Sequence, residues 1–245
     1  MAFINSPQNF KPNVFTLTES RVKLVMKYIT YCYLEMAKDG RIYDYSKKGT
    51  VQKEDFLRNG LVDDYLSKKQ YKDYYKKNIS DNPLVEIYFQ KEENQVYSLF
   101  DKPADDYIDI SIKETKLSEI LSYETEDEIK FAIECKRIKG TNDYNEYIKD
   151  IKKFAERPFT TFRLPYEGQI AFIEGTNLSH TTVSNEINKK LKATTTITTV
   201  QYLSLIKIHE TFKGNYLSKH KRNYDTKPTF SIFHLLLDYS QIISN

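Results

Sequence analysis

A carboxylate and an amine share one face of a segment whose other face is apolar. In the stretch 129–138, IKFAIECKRI, apolar and polar side chains alternate, which predicts a β-strand. The odd-numbered side chains up to Cys135 then point into the core, while Glu134 and Lys136 emerge on the opposite face. Along a strand these two residues lie about 6.6 Å apart. The segment is therefore a candidate for metal-assisted chemistry.

A second carboxylate lies in the middle of another predicted strand. Residues 107–113 also alternate, with three isoleucines on one face and Asp109 and Ser111 on the other. An aspartate among isoleucines needs a partner, because burying an unpaired charge is costly. If the two strands are neighbours, Asp109 and Glu134 share one face.

Two carboxylates with open oxygen positions suit Mg²⁺, for which Mn²⁺ is a substitute. The ion polarises a scissile phosphate and lowers the pKa of a bound water. The amine of Lys136 would position that water and offset the negative charge that develops on the phosphorane.

This arrangement resembles the PD-(D/E)XK nuclease superfamily, which has the restriction-endonuclease-like fold. Asp109, followed by Glu134, Cys135 and Lys136, is similar to its Asp…(Asp/Glu)-x-Lys signature. A predicted helix at 142–155 and a further strand follow, as that core requires. The chain looks most like uncharacterised bacterial restriction-like proteins with a Glu-Cys-Lys-Arg segment. The resemblance implies a metal-dependent endodeoxyribonuclease in restriction or anti-phage defence.

The resemblance implies further site residues. Glu54 lies on an early predicted helix, where many members place an additional acidic metal ligand. Gln169 opens a later predicted strand, where some members have an active-site glutamine. The backbone carbonyl of Cys135, rather than its thiol, is the expected metal contact. Solvent-facing roles for Glu54 and Gln169 are the alternatives.

The signature itself leaves alternatives open. No Pro-Asp dipeptide precedes the strand of Asp109, so Asp105 and Asp106 stay candidates for its role. The segments 128–130 and 150–152 also fit the pattern of an acid, any residue and a lysine. Only the copy on the predicted strand combines apolar flanks with an upstream strand aspartate. An ordinary cross-strand ion pair is the competing interpretation.

A local basic segment is the candidate nucleic-acid contact. Residues 216–222 read YLSKHKR, and Lys219, His220 and Arg222 could contact phosphates. A solvated loop explains the same composition. DNA is the expected partner, and RNA stays an alternative. A catalytically inactive nucleic-acid-binding module and a subunit of a larger defence complex are the competing functions; a homodimer is open.

The order of elements predicts an α/β fold with a restriction-endonuclease-like core, a mixed central β-sheet flanked by helices. The predicted helices are 18–38, 51–66, 68–77, 142–155 and 177–191. The predicted strands are 84–90, 95–100, 107–113, 129–138, 169–174 and 229–239, with Thr-rich strands in 194–208. We expect a single domain, 1–245, whose catalytic core is about 51–175. The N-terminal helical part, 1–50, and the strand-rich part, 176–245, are expected to be elaborations.

Composition excludes several classes of protein. The 245 residues are 40% hydrophobic with a net charge of +3, which indicates a packed core and no polycation. The closest two of the seven glycines are seven residues apart, too far for a dinucleotide fingerprint, a phosphate loop or a nucleophile elbow. Two cysteines are too few for a disulfide scaffold. With no signal peptide or long apolar run, we expect a cytoplasmic protein without membrane contact.

Overall fold

The structure is a computed structural model that describes residues 7–78, 87–99, 102–114, 130–157, 165–223 and 229–244. Within these ranges, side chains are described except at 7–18, 95–99, 102–106, 113–114 and 130. The side chains of Asp105 and Asp106, and the whole of Glu128, therefore lie outside the described part.

In the described ranges, seven strands form one mixed sheet. They are β2 Ile87–Leu99, β3 Lys102–Glu114, β4 Lys130–Ile138, β5 Tyr166–Ile173, β6 Thr199–Leu205, β7 Asn215–Lys221 and β8 Thr229–Asp238. Their spatial order is β2-β3-β4-β5-β8-β7-β6. Strand β5 runs parallel to both β4 and β8, and the other neighbours are antiparallel. The short strands β1 Tyr43–Asp44 and β9 Ile243–Ser244 form a separate parallel pair.

Five α-helices lie in the described ranges. They are α1 Pro7–Lys38, α2 Lys53–Leu61, α3 Lys69–Asn78, α4 Asp143–Glu156 and α5 His180–Ala193. A π-helical turn, Val62–Leu66, continues α2. The end of α1 is set by Gly40, whose φ of 65° is a left-handed conformation that glycine adopts without strain. The amides of Gly40 and Arg41 donate back to the carbonyls of Ala37 and Met36, which is the Schellman pattern.

The sheet separates two apolar layers. The alternation in β4 buries Ile133 and Cys135 against the side of the sheet that α1, α2 and α3 cover. Apolar residues of α4 and α5 pack with Ile138 and Ala171 on the other side. The predicted α/β class, with a mixed central sheet and flanking helices, is confirmed.

The first helix is central to the core. Met26 and Ile29 of α1 are fully buried in the same cluster as Phe233 and Leu235 of β8. The helix also begins earlier than the sequence predicts, at Pro7 rather than near residue 18. The part of 1–50 that was expected as an elaboration therefore covers the middle of the sheet.

The predicted break between the strands 84–90 and 95–100 is wrong. Strand β2 runs from Ile87 to Leu99 and pairs with β3 in one register on both sides of Glu92. Its polar composition misleads because β2 is an edge strand, so it pairs on one side only. Glu92 has a φ of 53°, a left-handed conformation that is unusual outside glycine.

The interpretation of the basic segment 216–222 as a solvated loop is also wrong. Residues 215–221 form strand β7, which lies between β8 and β6 inside the sheet. The Thr-rich region gives one strand, Thr199–Leu205, rather than several. In the described part of the chain, no helix combines the length and the apolar character that a bilayer-spanning helix needs.

Candidate active site

The two candidate acids lie on neighbouring strands at the same level. The ladder between β3 and β4 is antiparallel and ends at the pair Ile110–Ile133. Continuing that register by one position sets Asp109 opposite Glu134. At this point the Asp109 Oδ2 atom accepts a hydrogen bond of 2.7 Å from the backbone amide of Cys135. The aspartate side chain thus replaces the next ladder contact between the two strands.

Glu134 belongs to a polar row that crosses the sheet. It lies in register with Gln169 of β5, and Gln169 lies in register with His234 of β8. On the other side, β2 pairs with β3 so that Glu92 is the residue opposite Asp109. Polar side chains from five strands therefore stand at one level of the sheet.

The Glu134 carboxylate is almost completely buried and held by two cations. Its exposed side-chain fraction is 3%. Oε1 accepts from Arg157 Nη2 at 2.6 Å and from Lys153 Nζ at 3.0 Å. Burial raises the pKa of Glu134, the Arg157 charge opposes that shift, and Asp109 adds to it.

The Lys136 amine lies between two carboxylates. Its Nζ atom is 2.9 Å from Glu54 Oε1 and 3.4 Å from Asp150 Oδ2, and it donates to the Cys135 carbonyl at 3.0 Å. Burial lowers the pKa of Lys136, but the nearby carboxylates outweigh burial and hold it above the usual value. The amine is therefore a cation.

Asp109 is paired with a buried arginine from α2. Arg58 Nη1 is 2.9 Å from Asp109 Oδ1 and 3.1 Å from Asp55 Oδ1, and Nη2 contacts Glu92 Oε1. The Arg58 side chain is only 2% exposed. One guanidinium thus contacts three carboxylates, from α2, β2 and β3, and compensates only part of their charge.

Glu54 lies at the start of α2 and reaches β4. Besides its contact with Lys136, its Oε2 accepts from the backbone amide of Arg137 at 3.1 Å. Both oxygens are engaged, so the structure places Glu54 beside the signature lysine. Among the described residues, Glu54 contacts Lys136 and the Arg137 amide but not Asp109.

Gln169 is fully buried at the floor of the site. Its Nε2 donates to the Tyr147 carbonyl at 3.0 Å and lies 3.5 Å from Asp150 Oδ2. Its Oε1 has no hydrogen-bond partner in the described part of the structure. Gln169 thus connects β5 to the acid of α4, and not to solvent.

Cys135 contributes its backbone to the site, and the metal contact expected of its carbonyl stays a prediction. The thiol lies in the apolar core, and burial raises the pKa of that thiol well above its usual value. Its amide and carbonyl serve Asp109 and Lys136 instead.

The predicted nucleic-acid residues do not join this cluster. His220 is fully buried and bonds to Ser218 and Thr199. Arg222 is also buried, donates to the Phe154 carbonyl at 2.8 Å and lies 3.4 Å from Glu167. Neither residue can reach a phosphate in this arrangement. Lys219 is partly exposed, but alternation along β7 turns it to the opposite face from the buried His220.

The oxygen donors have the right chemistry for Mg²⁺, but their arrangement is not that of a formed metal site. Among the described residues, no group of three or more His, Cys, Asp or Glu side chains is disposed to hold a metal ion. Asp109 and Glu134 are instead neutralised by Arg58, Lys153 and Arg157. A divalent ion would have to replace some of these contacts.

Sequence reasoning missed the partners that surround the signature. Arg58, Lys153 and Arg157 come from α2 and the end of α4, and Asp150 was considered only as part of a second acid-x-lysine pattern. For two of these partners, the helical spacing in the sequence was informative. Asp150 and Lys153 are three residues apart on one side of an amphipathic helix, whose Ile151 and Phe154 are buried.

Comparisons of this chain with protein-family models, with curated proteins and with solved structures find no match. The site is accordingly interpreted from its own geometry.

Proposed function

We propose that the chain is an Mg²⁺-dependent endonuclease that hydrolyses DNA phosphodiester bonds, with a role in restriction or anti-phage defence. The observation that carries the proposal is the convergence of Asp109, Glu134 and Lys136 where β3 and β4 part. Two acids and one amine at such a point are the groups that metal-assisted phosphate hydrolysis needs.

The roles follow from the contacts. Asp109 and Glu134 would hold the ion, which supplies Lewis-acid polarisation of the phosphate and an acidified water. Lys136 stays protonated between Glu54 and Asp150, so it offers a fixed positive charge to a phosphate oxygen. Glu54 and Asp150 orient that amine, and Gln169 supports Asp150 from below.

The connection of the strands supports the same proposal. The signature strand β4 is followed by α4 and then by β5, which runs parallel to β4. This strand–helix–strand order is what the resemblance to PD-(D/E)XK nucleases leads us to expect. The expected core, 51–175, runs from α2 to β5.

The two cations that hold Glu134 differ in their access to solvent. Lys153 is 37% exposed and can swing away from Glu134 into solvent, whereas Arg157 is completely buried. Binding of Mg²⁺ would therefore exchange the Lys153 contact and leave the Arg157 contact in place.

A plasmid-nicking assay with Mg²⁺ tests the proposal. Glu134→Gln, Asp109→Asn and Lys136→Met should each lower the rate about a hundredfold or more. Lys152→Met is the matched control, since Lys152 is an exposed lysine of the second acid-x-lysine pattern and pairs only with Glu156 among the described residues. Equal cleavage by wild type and all three site variants would contradict the proposal.

A second function is favoured by one observation. Both acids of the signature are paired with arginines, Asp109 with Arg58 and Glu134 with Arg157, as in a structural ion-pair network. This favours a catalytically inactive nucleic-acid-binding module, alone or as a subunit of a larger defence complex. DNA binding without cleavage, unchanged by Mg²⁺ and by Glu134→Gln, would establish this alternative.

A further inference from the structure

A cavity opens between helix α3 and the beginning of edge strand β2. Its volume is about 410 Å³. The helix side contributes Lys69, Lys72 and Lys76, and the strand side contributes Ile87 and Tyr88. The cavity lies outside the cluster around Glu134 and is used by none of the steps above.

The described lining of this cavity is positively charged. Among the described residues, three lysines and one acid, Asp73, line it, which gives this part of the lining a charge of +2. Lys69 and Lys76 are exposed and have no acidic partner among the described residues. They lie two helical turns apart on one side of α3, about 10 Å along the axis. Such a line of amines attracts a chain of phosphates rather than a single ion.

The middle lysine is built into the wall of the cavity. Lys72 is half-buried, and its Nζ donates to the Ile87 carbonyl at 2.8 Å. The same amine lies 5.8 Å from the centre of the Tyr88 ring and 5.9 Å from that of Phe89. Burial and the charge of Lys76 lower the pKa of Lys72, so a bound anion would be favourable next to it.

An aromatic ring stands beside these amines. Tyr88 is 54% exposed on the edge strand. A half-exposed ring next to lysines is a combination used in proteins that bind single-stranded nucleic acid, where bases stack on the ring and phosphates lie beside the amines. This combination favours a DNA strand over a small phosphate compound.

The cavity is aligned with the candidate active site. Tyr88 and Glu92 both lie on edge strand β2, four residues or about 13 Å apart. Glu92 contacts Arg58, which pairs with Asp109. A DNA strand that follows edge strand β2 would pass from the lysines to the acids.

We propose that the cleft formed by Lys69, Lys72, Lys76 and Tyr88 binds the phosphates and a base of a single DNA strand, and leads that strand toward Asp109. The second half of this proposal rests on the nuclease function above. The first half does not, because binding is measured without metal.

The test is fluorescence anisotropy with a labelled DNA strand of about 16 nucleotides in EDTA, at several salt concentrations. Lys69→Glu with Lys76→Glu should weaken binding at least about tenfold and lower the salt slope by about 1.4, or 0.7 per lost phosphate contact. Tyr88→Leu should weaken binding about fivefold or more and leave the salt slope unchanged.

The matched control is Lys189→Glu with Lys192→Glu, two exposed lysines of α5 that give the same change in net charge. Equal weakening in this control would overturn the inference, since attraction would then follow net charge alone. Failure of the wild type to bind the strand would also overturn it. If binding depends on the α3 lysines but no cleavage occurs with Mg²⁺, the inference stands and the nuclease function fails. If cleavage occurs and is insensitive to these lysines, the nuclease function stands and the inference fails.

Discussion

Glu134 and Arg157 form a buried ion pair, with 2.6 Å between Oε1 and Nη2 and exposed side-chain fractions of 3% and 0%. The pair continues through Glu167 to Arg222, so alternating charges connect β4, the end of α4 and β5 to the end of β7. Burial raises the pKa of the candidate catalytic acid, and a guanidinium that solvent does not reach opposes that shift. Such a pair constrains the site, because neither partner can be removed alone without leaving a buried charge.

Removing Arg157 should therefore destabilise the fold. Arg157→Met leaves Glu134 and Glu167 with less compensation, and we expect a loss of about 3–5 kcal/mol in the free energy of unfolding. Urea denaturation followed by circular dichroism measures it. Lys152→Met, which disrupts an exposed helix pair, is the control and should change stability little. A loss for Arg157→Met no larger than that of the control would show that the buried pair contributes nothing.

Removing Arg58 should make Mg²⁺ bind more tightly. Arg58 occupies the Asp109 oxygen that a metal ion would need, so Arg58→Met takes away a competing cation. We expect the apparent Kd for Mg²⁺, measured by isothermal titration calorimetry, to fall about tenfold. Arg41→Met, which removes an exposed arginine paired with Asp64, is the control and should leave it unchanged. Circular dichroism in EDTA verifies that the variant is folded, and an unchanged or higher Kd in a folded variant would argue against a metal at Asp109.

The sequence predicted the strands of the site better than its partners. Alternation along 129–138 is a local signal, and β4 and α4 were predicted within two residues of their observed ends. The contact between Arg58 and Asp109 joins residues 51 positions apart, and no local period encodes it. Only the three-dimensional fold brings such residues together.

The basic segment at 216–222 failed for a different reason. A cluster of basic residues usually indicates a solvent-exposed segment. Here Arg222 is buried against Glu167, and His220 is buried in a hydrogen bond with Ser218. Buried polar residues that satisfy one another have the same composition as an exposed loop. Edge strand β2 misled in a related way, since its polar residues are tolerated where one side of the strand has no neighbour.

Asp150 should make stability depend on pH in the neutral range. Burial raises the pKa of Asp150 to about 7, although the nearby Lys136 charge opposes the shift. The folded state then holds a proton that the unfolded chain has released, so this group's contribution to stability falls as pH rises from about 4 to about 7. Asp150→Asn removes this contribution.

The measurement is urea denaturation of wild type and Asp150→Asn at several pH values. The variant should gain on the wild type between pH 5 and 8, by an amount on the order of 3 kcal/mol. Lys136 keeps Glu54 as a partner in the variant, so its charge stays compensated. A constant difference across this range would show that Asp150 is already ionised at the lower pH.

Two buried histidines should produce the opposite dependence at lower pH. Tyr147 Oη bonds to His234 Nδ1 at 2.8 Å, Ser218 Oγ bonds to the Nε2 atoms of both His234 and His220, and His220 Nδ1 bonds to Thr199. A neutral imidazole donates at one nitrogen and accepts at the other, so all four bonds can form in one direction along the chain. A second proton on either ring would take away the ring nitrogen that accepts from Tyr147 or Ser218, and that hydroxyl hydrogen would lose its acceptor in this chain.

Burial accordingly lowers the pKa of His220 to about 4, and burial together with the neighbouring His220 lowers the pKa of His234 well below its usual value. The unfolded chain binds these protons first, so stability is lost as pH falls from about 6.5 toward 4. His220→Gln keeps a side chain that donates and accepts but does not titrate. We expect urea denaturation to show a shallower acid slope for this variant, with a difference of about 3 kcal/mol between pH 7 and pH 4 for one histidine. His209→Gln is the control, since His209 lies outside this chain and bonds only to Thr211 among the described residues. If the acid slope is equally steep in His220→Gln, the prediction that this network keeps His220 neutral in the folded protein is contradicted.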